Sequence, residues 1–288
     1  MATILTITSG QPRLGKSQLA LNLALERVRC GCWTGLFTEH SAATTLDHVV
    51  RLPPVVLHER RANVPPMDVL RRGYQGVDIL GCRIPLSAWA RTDRSRLQRC
   101  FGLLDIRDGY DELLIDTSGM SGHEALACSL AAGLVIVLVT PDVTSQAQAF
   151  AMLRVLLLNG FHGRLRLVVN RVRGAAAASE IQQAFHHQVH DHLGVKIPML
   201  GFLPEDQSVP LAHQAGQAFS TVFPDAEATG RIVVLADALE ELEQTEVRPQ
   251  EVSDYWSRVR ELLVRPVRLP GGADLDAVLA ADAGPAAG

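Results

Sequence analysis

The segment Gly10-Gln-Pro-Arg-Leu-Gly-Lys-Ser17 has the form G-x-x-x-x-G-K-[ST], and it constrains the fold more than any other feature of the chain. Such a loop works only between a strand and a helix, where its backbone N–H groups and the positive end of the helix converge on one anion. Both flanks fit. Residues 3–8 (Thr-Ile-Leu-Thr-Ile-Thr) are a β-branched run suited to a strand. Gln18 opens a stretch rich in helix formers, Gln-Leu-Ala-Leu-Asn-Leu-Ala-Leu-Glu-Arg. Lys16 and Lys196 are the only lysines, and the other 25 of the 27 basic residues are arginine. A compact ammonium suits a β/γ-phosphate better than a wide planar guanidinium. Lysine therefore stands where phosphate chemistry needs it, in a chain that otherwise avoids it. The candidate nucleotide contacts here are Gly10, Gln11, Arg13, Leu14, Gly15, Lys16, Ser17 and Gln18.

A second element follows at residues 110–119, Tyr-Asp-Glu-Leu-Leu-Ile-Asp-Thr-Ser-Gly. An apolar strand ends in Asp116 and is followed by small residues. That is the form of an acid associated with Mg²⁺, with Ser17 ligating the ion and Asp116 holding it directly or through water. The plainer reading is an aspartate that ends a strand and starts a turn.

Apolar strand candidates recur at 3–8, 33–37, 77–80, 112–115, 134–140, 165–170 and 199–203. Helical stretches are expected at 17–29, 92–104, 122–131, 144–159 and 177–193. This alternation implies an α/β fold: a doubly wound, mostly parallel sheet with helices on both faces and the ligand at the carboxyl ends of the strands. Residues 41–75 read as irregular, broken at Pro53-Pro54 and Pro65-Pro66. Three parts are expected: a phosphate-loop nucleotide-binding domain over 1–245, an amphipathic helical region over 246–270, and a disordered Ala/Gly/Asp/Pro-rich tail over 271–288.

With 47% apolar and 20% charged residues, the chain can bury a full core. A net charge of −4 supplies no basic field for nucleic acid. Five cysteines without a C-x-x-C pair suit reduced thiols and argue against an iron–sulfur carrier. No apolar run reaches membrane-spanning length, and no charged leader precedes one. The expectation is a cytoplasmic protein, with peripheral contact at the inner face of the membrane left open.

The two motifs and the segments after them resemble the MinD/ParA superfamily of deviant-Walker ATPases, in particular its MinD and FlhG/FleN branch. The matching pieces are the loop, Leu19–Ala24, Tyr110–Thr117, Val139–Ser145, Val168–Val172 and Gly201–Asp206, in order over roughly residues 1–240. The resemblance implies that Asn170 faces the adenine with Arg171 beside it, and that Pro204 and Glu205 belong to a loop closing over the base. It implies ATP and Mg²⁺ as cofactors, a nucleotide-dependent homodimer, and a protein partner or cargo.

Two departures bear on turnover. The family's signature lysine, second in the loop, is Gln11 here, and Pro12 removes one N–H donor. Arg13 is a cation that could serve by another route. The family's paired acids after the second strand align with Thr38 and His40, with Glu39 between them. His40 is a candidate base, and Glu39 is one if the register slips by one; the alternative is that hydrolysis is slow or absent.

Near the C-terminus, Trp256, Val259 and Leu263 share a helical face flanked by Arg258, Arg260, Arg265 and Arg268. Such a face suits an anionic membrane surface; equally, it suits a last helix packed on the domain. His186, His187, His190 and His192 on one helix, and Arg91, Arg94, Arg96 and Arg99 on another, read first as solvated faces. Two functions are carried forward: an ATP-dependent switch that positions or regulates a cellular structure such as flagella or the division site, and a hydrolysis-poor regulator that sequesters a protein, as an antiactivator does. An ATP-dependent carboxylate-activating synthetase ranks below both.

Overall fold

The computed structural model describes residues 1–39, 46, 49, 55–57, 69–82, 85–87 and 109–270. His40, the expected helix 92–104 with its arginine face, and the tail from Gly271 lie outside the described residues.

The described strands form one sheet in the order β3-β4-β5-β2-β6-β1-β7-β8-β9. Its central part is β1 (Thr3–Thr8), β2 (Thr34–Glu39), β6 (Glu112–Asp116) and β7 (Leu134–Val139), each buried along its whole length. β8 (Arg164–Val172) and β9 (Met199–Pro204) extend it in parallel. Near-continuous apolar strands are what a sheet covered on both faces requires. β6 lies between β1 and β2, and β7 lies on the other side of β1. The chain reverses its direction of winding here, which opens a crevice at the carboxyl ends of these strands.

The opposite edge is antiparallel. β3 (Val55–Leu57), β4 (Val69–Tyr74) and β5 (Val77–Cys82) form a meander whose last strand joins β2 in parallel. The β4–β5 hairpin turns at Gln75 (φ 48°) and Gly76 (φ 91°), the left-handed pair that matches strand twist. This corrects the irregular reading of 41–75. The prolines fall between strands, and edge pairing supplies what local pattern does not.

α1 (Lys16–Arg29) and α7 (Glu227–Thr245) cover one face, with the short helices α5 (Ser208–Gln214) and α6 (Phe219–Val222). α2 (Gly122–Ala131), α3 (Val143–Leu158), α4 (Ala175–Leu193) and α8 (Val252–Leu263) cover the other. Ser121 caps α2 in a reciprocal box with Glu124, and Asp142 caps α3 through the Thr144 amide. No described helix is long and apolar enough to cross a membrane.

α8 packs on α2. Tyr255, Trp256, Val259 and Leu263 are buried in the same core cluster as Leu126 and Leu130. The Trp256 ring meets Phe37 at 4.6 Å, and the Tyr255 hydroxyl donates to the Cys128 carbonyl at 3.3 Å. The apolar face offered to a membrane in the sequence reading is therefore turned inward. The packed-helix alternative holds, because α2 presents an apolar surface of its own.

Candidate nucleotide-binding site

The phosphate loop leaves β1 at the crevice and enters α1 at Gly15, whose φ of 98° suits glycine. α1 has no side-chain cap, so its first amides remain available to an anion. A Cβ on Gly10 would stand 2.2 Å from the Gln148 backbone of α3, so only glycine lets the loop pass.

Lys16 is buried, and its ammonium lies back across the loop. Nζ donates to Ser9 Oγ at 2.8 Å and to the Gln11 carbonyl at 2.9 Å. Ser9 donates to the same carbonyl at 2.5 Å. Ser9 thus orients the lysine, a role the loop pattern did not flag; the signal was a hydroxyl immediately before the glycine. Burial lowers the Lys16 pKa, and the Asp116 charge opposes that shift. An ammonium desolvated in this way is poised for a stronger counter-charge.

Asp116 is fully buried at the end of β6. Burial raises its pKa, while Ser17, Ser118 and Lys16 favour the charged form. The Ser118 amide donates to Oδ1 at 3.0 Å, whereas Oδ2 has no hydrogen-bond partner. Thr38 pairs with Asp116 in parallel register, and its buried Oγ1 is also without a partner. Two orphaned oxygens on neighbouring strands, beside the Ser17 hydroxyl, form a hard-oxygen set that fits Mg²⁺.

Glu39 does not join this set. Successive strand residues face opposite ways, so Thr38 shares the face of Asp116 while Glu39 turns to the α2 side. There it meets Glu124, which accepts from the Ser87 amide at 2.7 Å and the Ser121 amide at 3.0 Å. Burial and the neighbouring Glu124 push the Glu39 pKa up to about 8. The structure thus corrects Glu39 as a catalytic candidate: pleat direction removes it from the nucleotide face.

A pH effect follows. Unfolded, Glu39 ionises near its ordinary 4.5; folded, it stays protonated to about 8. Its contribution to stability is complete below the lower value and is lost as pH rises through the upper one. Glu39→Gln should therefore be more stable than the parent at pH 8.5 by about 1–3 kcal/mol, with much less difference at pH 5. Denaturant melts at both pH values check this; parallel pH curves would refute it.

The far wall is the end of β8. Asn170 Nδ2 donates to the Leu14 carbonyl at 2.7 Å, and Arg171 Nη2 donates to the Arg13 carbonyl at 3.0 Å. The β9–α5 turn lies alongside, with the Glu205 amide bonded to the Val172 carbonyl at 3.0 Å. Asp206 accepts from the Ser208 amide at 2.8 Å and the Ala228 amide at 3.0 Å. Burial works against its charge, but these amides prevail and hold its pKa low. The structure thus brings Lys16, Ser17, Asp116, Asn170, Arg171, Pro204 and Glu205 to one rim. The Gln11 side chain is half-buried, and Arg13 is exposed at the tip.

No protein-family model matches the chain. An uncharacterized ATP-binding protein of Methanocaldococcus jannaschii is 26% identical over 83% of this chain and 88% of its own length. The antiactivator FleN of Pseudomonas aeruginosa is 27% identical over 78% and 82%. The chain is thus similar, over about three quarters of its length or more, to proteins of the FleN and MinD kind. The fold agrees: the MinD structure from Pyrococcus horikoshii, complexed with Mg-ADP, superposes with a TM-score of 0.62 at 18% identity, covering 86% of this chain and all of that one. This chain carries Gln11 in the loop and Thr38 beside Asp116.

Proposed function

We propose that this MinD/ParA-like protein binds ATP with Mg²⁺ and uses the bound nucleotide to control a homodimer that regulates or positions a cellular structure through a protein partner. The observation that carries the reading is the convergence of a buried, desolvated Lys16 with the orphaned oxygens of Asp116 and Thr38 at the mouth of the phosphate loop. ATP with Mg²⁺ would supply the charge these groups lack. Lys16 would bind the terminal phosphates, the loop amides and the α1 terminus would orient them, and Ser17 and Asp116 would hold the ion.

The regulator form of this reading, in which ATP is hydrolysed poorly and a partner is sequestered, is favoured by the groups around Asp116. Thr38 carries no charge, and Glu39 turns to the opposite face. No carboxylate of β2 is therefore available to orient an attacking water. The likeness to an antiactivator supports the same form.

Binding of a fluorescent ATP analogue, with Mg²⁺ or with EDTA, tests the reading. Asp116→Asn should lose about tenfold in affinity with Mg²⁺ and little with EDTA, because a neutral amide is a poor ligand for a hard cation. Equal losses under both conditions would remove the metal role. Turnover measured beside binding separates the two forms. Turnover slower than nucleotide exchange supports the regulator; turnover that limits the lifetime of bound ATP supports the cycling switch.

A further inference from the structure

The end of β8 does something that its expected contact with the base does not explain. Asn170 and Arg171 are consecutive, and they hold the consecutive carbonyls of Leu14 and Arg13. The Asn170 side chain is used at both ends: Nδ2 donates to Leu14, and Oδ1 accepts the Arg171 amide at 2.9 Å. The described non-glycine residues with left-handed backbone are Arg13 (φ 61°), Gln75 (φ 48°) and Arg171 (φ 58°). Gln75 is accounted for by its hairpin. The other two are the ends of one hydrogen bond. Such conformations cost free energy and persist only where their surroundings over-determine them.

We propose that Asn170 and Arg171 are positioning residues for the phosphate loop: they draw the Arg13 and Leu14 carbonyls back toward β8, so that the loop amides face the phosphates before nucleotide arrives. A carbonyl and the amide that follows it belong to one planar unit and point in opposite directions. Holding the Arg13 carbonyl therefore aims the Leu14 N–H, and holding the Leu14 carbonyl aims the Gly15 N–H. Pro12 offers no donor, so the loop relies more on those that remain. Gly15 is part of the same fit, since a Cβ there would meet Asn170 Nδ2 at 2.7 Å. The inference rests on the reading of this loop as an ATP site and deepens it.

Arg171→Ala is the first variant, because the side chain is exposed and its loss leaves no buried group unpaired. ATP, GTP and inorganic tripolyphosphate are the probes, titrated calorimetrically against parent and variant. Affinity should fall by about three- to tenfold for all three, as for one lost hydrogen bond, with the ATP-to-GTP ratio unchanged. Amide exchange at Leu14 and Gly15 should quicken in the nucleotide-free variant while the melting temperature holds. Arg171→Lys, which keeps charge but not the planar fork, should fall between them. A loss confined to ATP and GTP, with tripolyphosphate unaffected, would mean the pair reads the base, and the proposal would fall. Unchanged affinity for all three would also overturn it. A parent protein that binds tripolyphosphate and ATP no better than Lys16→Met would overturn the ATP-site reading, and this proposal with it.

Discussion

Replacing Lys16 with methionine should cost at least about a hundredfold in ATP affinity and leave the melting temperature unchanged or higher. The two results have one cause. In the free protein the ammonium is buried and desolvated, held by a hydroxyl and a carbonyl, with Asp116 as its counter-charge. Methionine keeps most of the apolar stem and removes the charge, so the folded chain is relieved of a burial cost that Asp116 offsets only in part; Asp116, whose own pKa burial raises, takes up a proton when the cation is gone. A nucleotide bound as proposed would lose the lysine of the phosphate loop. Functional sites commonly carry stability costs of this kind, which is why a stabilising change there is informative. Calorimetric titration with ATP beside a thermal melt checks both parts. A variant that lost stability together with binding would make Lys16 a structural residue and weaken the site assignment.

The second large effect is expected far from the site. Arg27→Met should destabilise the protein by about 3–5 kcal/mol at pH 7. Arg27 closes the bottom of α1 against β6 and α7. Its Nε donates to Glu112 Oε1 at 2.5 Å, and its Nη2 lies 2.9 Å from Glu243 Oε2. Glu240, half-exposed, completes the group at 3.3 Å. Arg27 and Glu112 are both buried, so removing the cation strands a carboxylate away from water. Burial, with Glu112 nearby, pushes the Glu243 pKa up to about 8, and Arg27 opposes that shift. The variant should therefore recover part of its stability at pH 5, where a protonated Glu243 needs no cation. Urea unfolding at pH 5 and pH 8 measures this; a loss below about 1 kcal/mol at pH 8 would reduce the network to an ordinary surface ion pair. ATP affinity of the folded variant should be unchanged, since Arg27 stands at the opposite end of α1 from the loop.

Much of the fold is legible in local pattern. The phosphate loop demands a strand before it and a helix after it, and both are present at Thr3–Thr8 and Lys16–Arg29. The run Leu134–Val139 has no polar alternation, which a parallel central strand requires. Lys16, Ser17 and Asp116 are legible for the same reason: their chemistry is tied to short spacings or to the end of a strand. The strands within residues 41–75 are not. Their periodicity is weak, and their partners lie across the sheet edge.

The sequence by itself determined the α/β class, the phosphate loop and the acid that faces it, because each follows from contacts between residues close along the chain. Only the tertiary structure decided which way the longer-range groups point. Pleat and register put Thr38 beside Asp116 and send Glu39 to Glu124. The apolar surface of α2 claims Trp256, Val259 and Leu263, so a face with the composition of a membrane anchor becomes core. The proximity of β8 to β1's loop, 156 residues apart in the chain, turns Asn170 toward a backbone carbonyl. A side chain's composition limits what it can bind; its neighbours, brought together by burial of the whole sheet, choose among those partners.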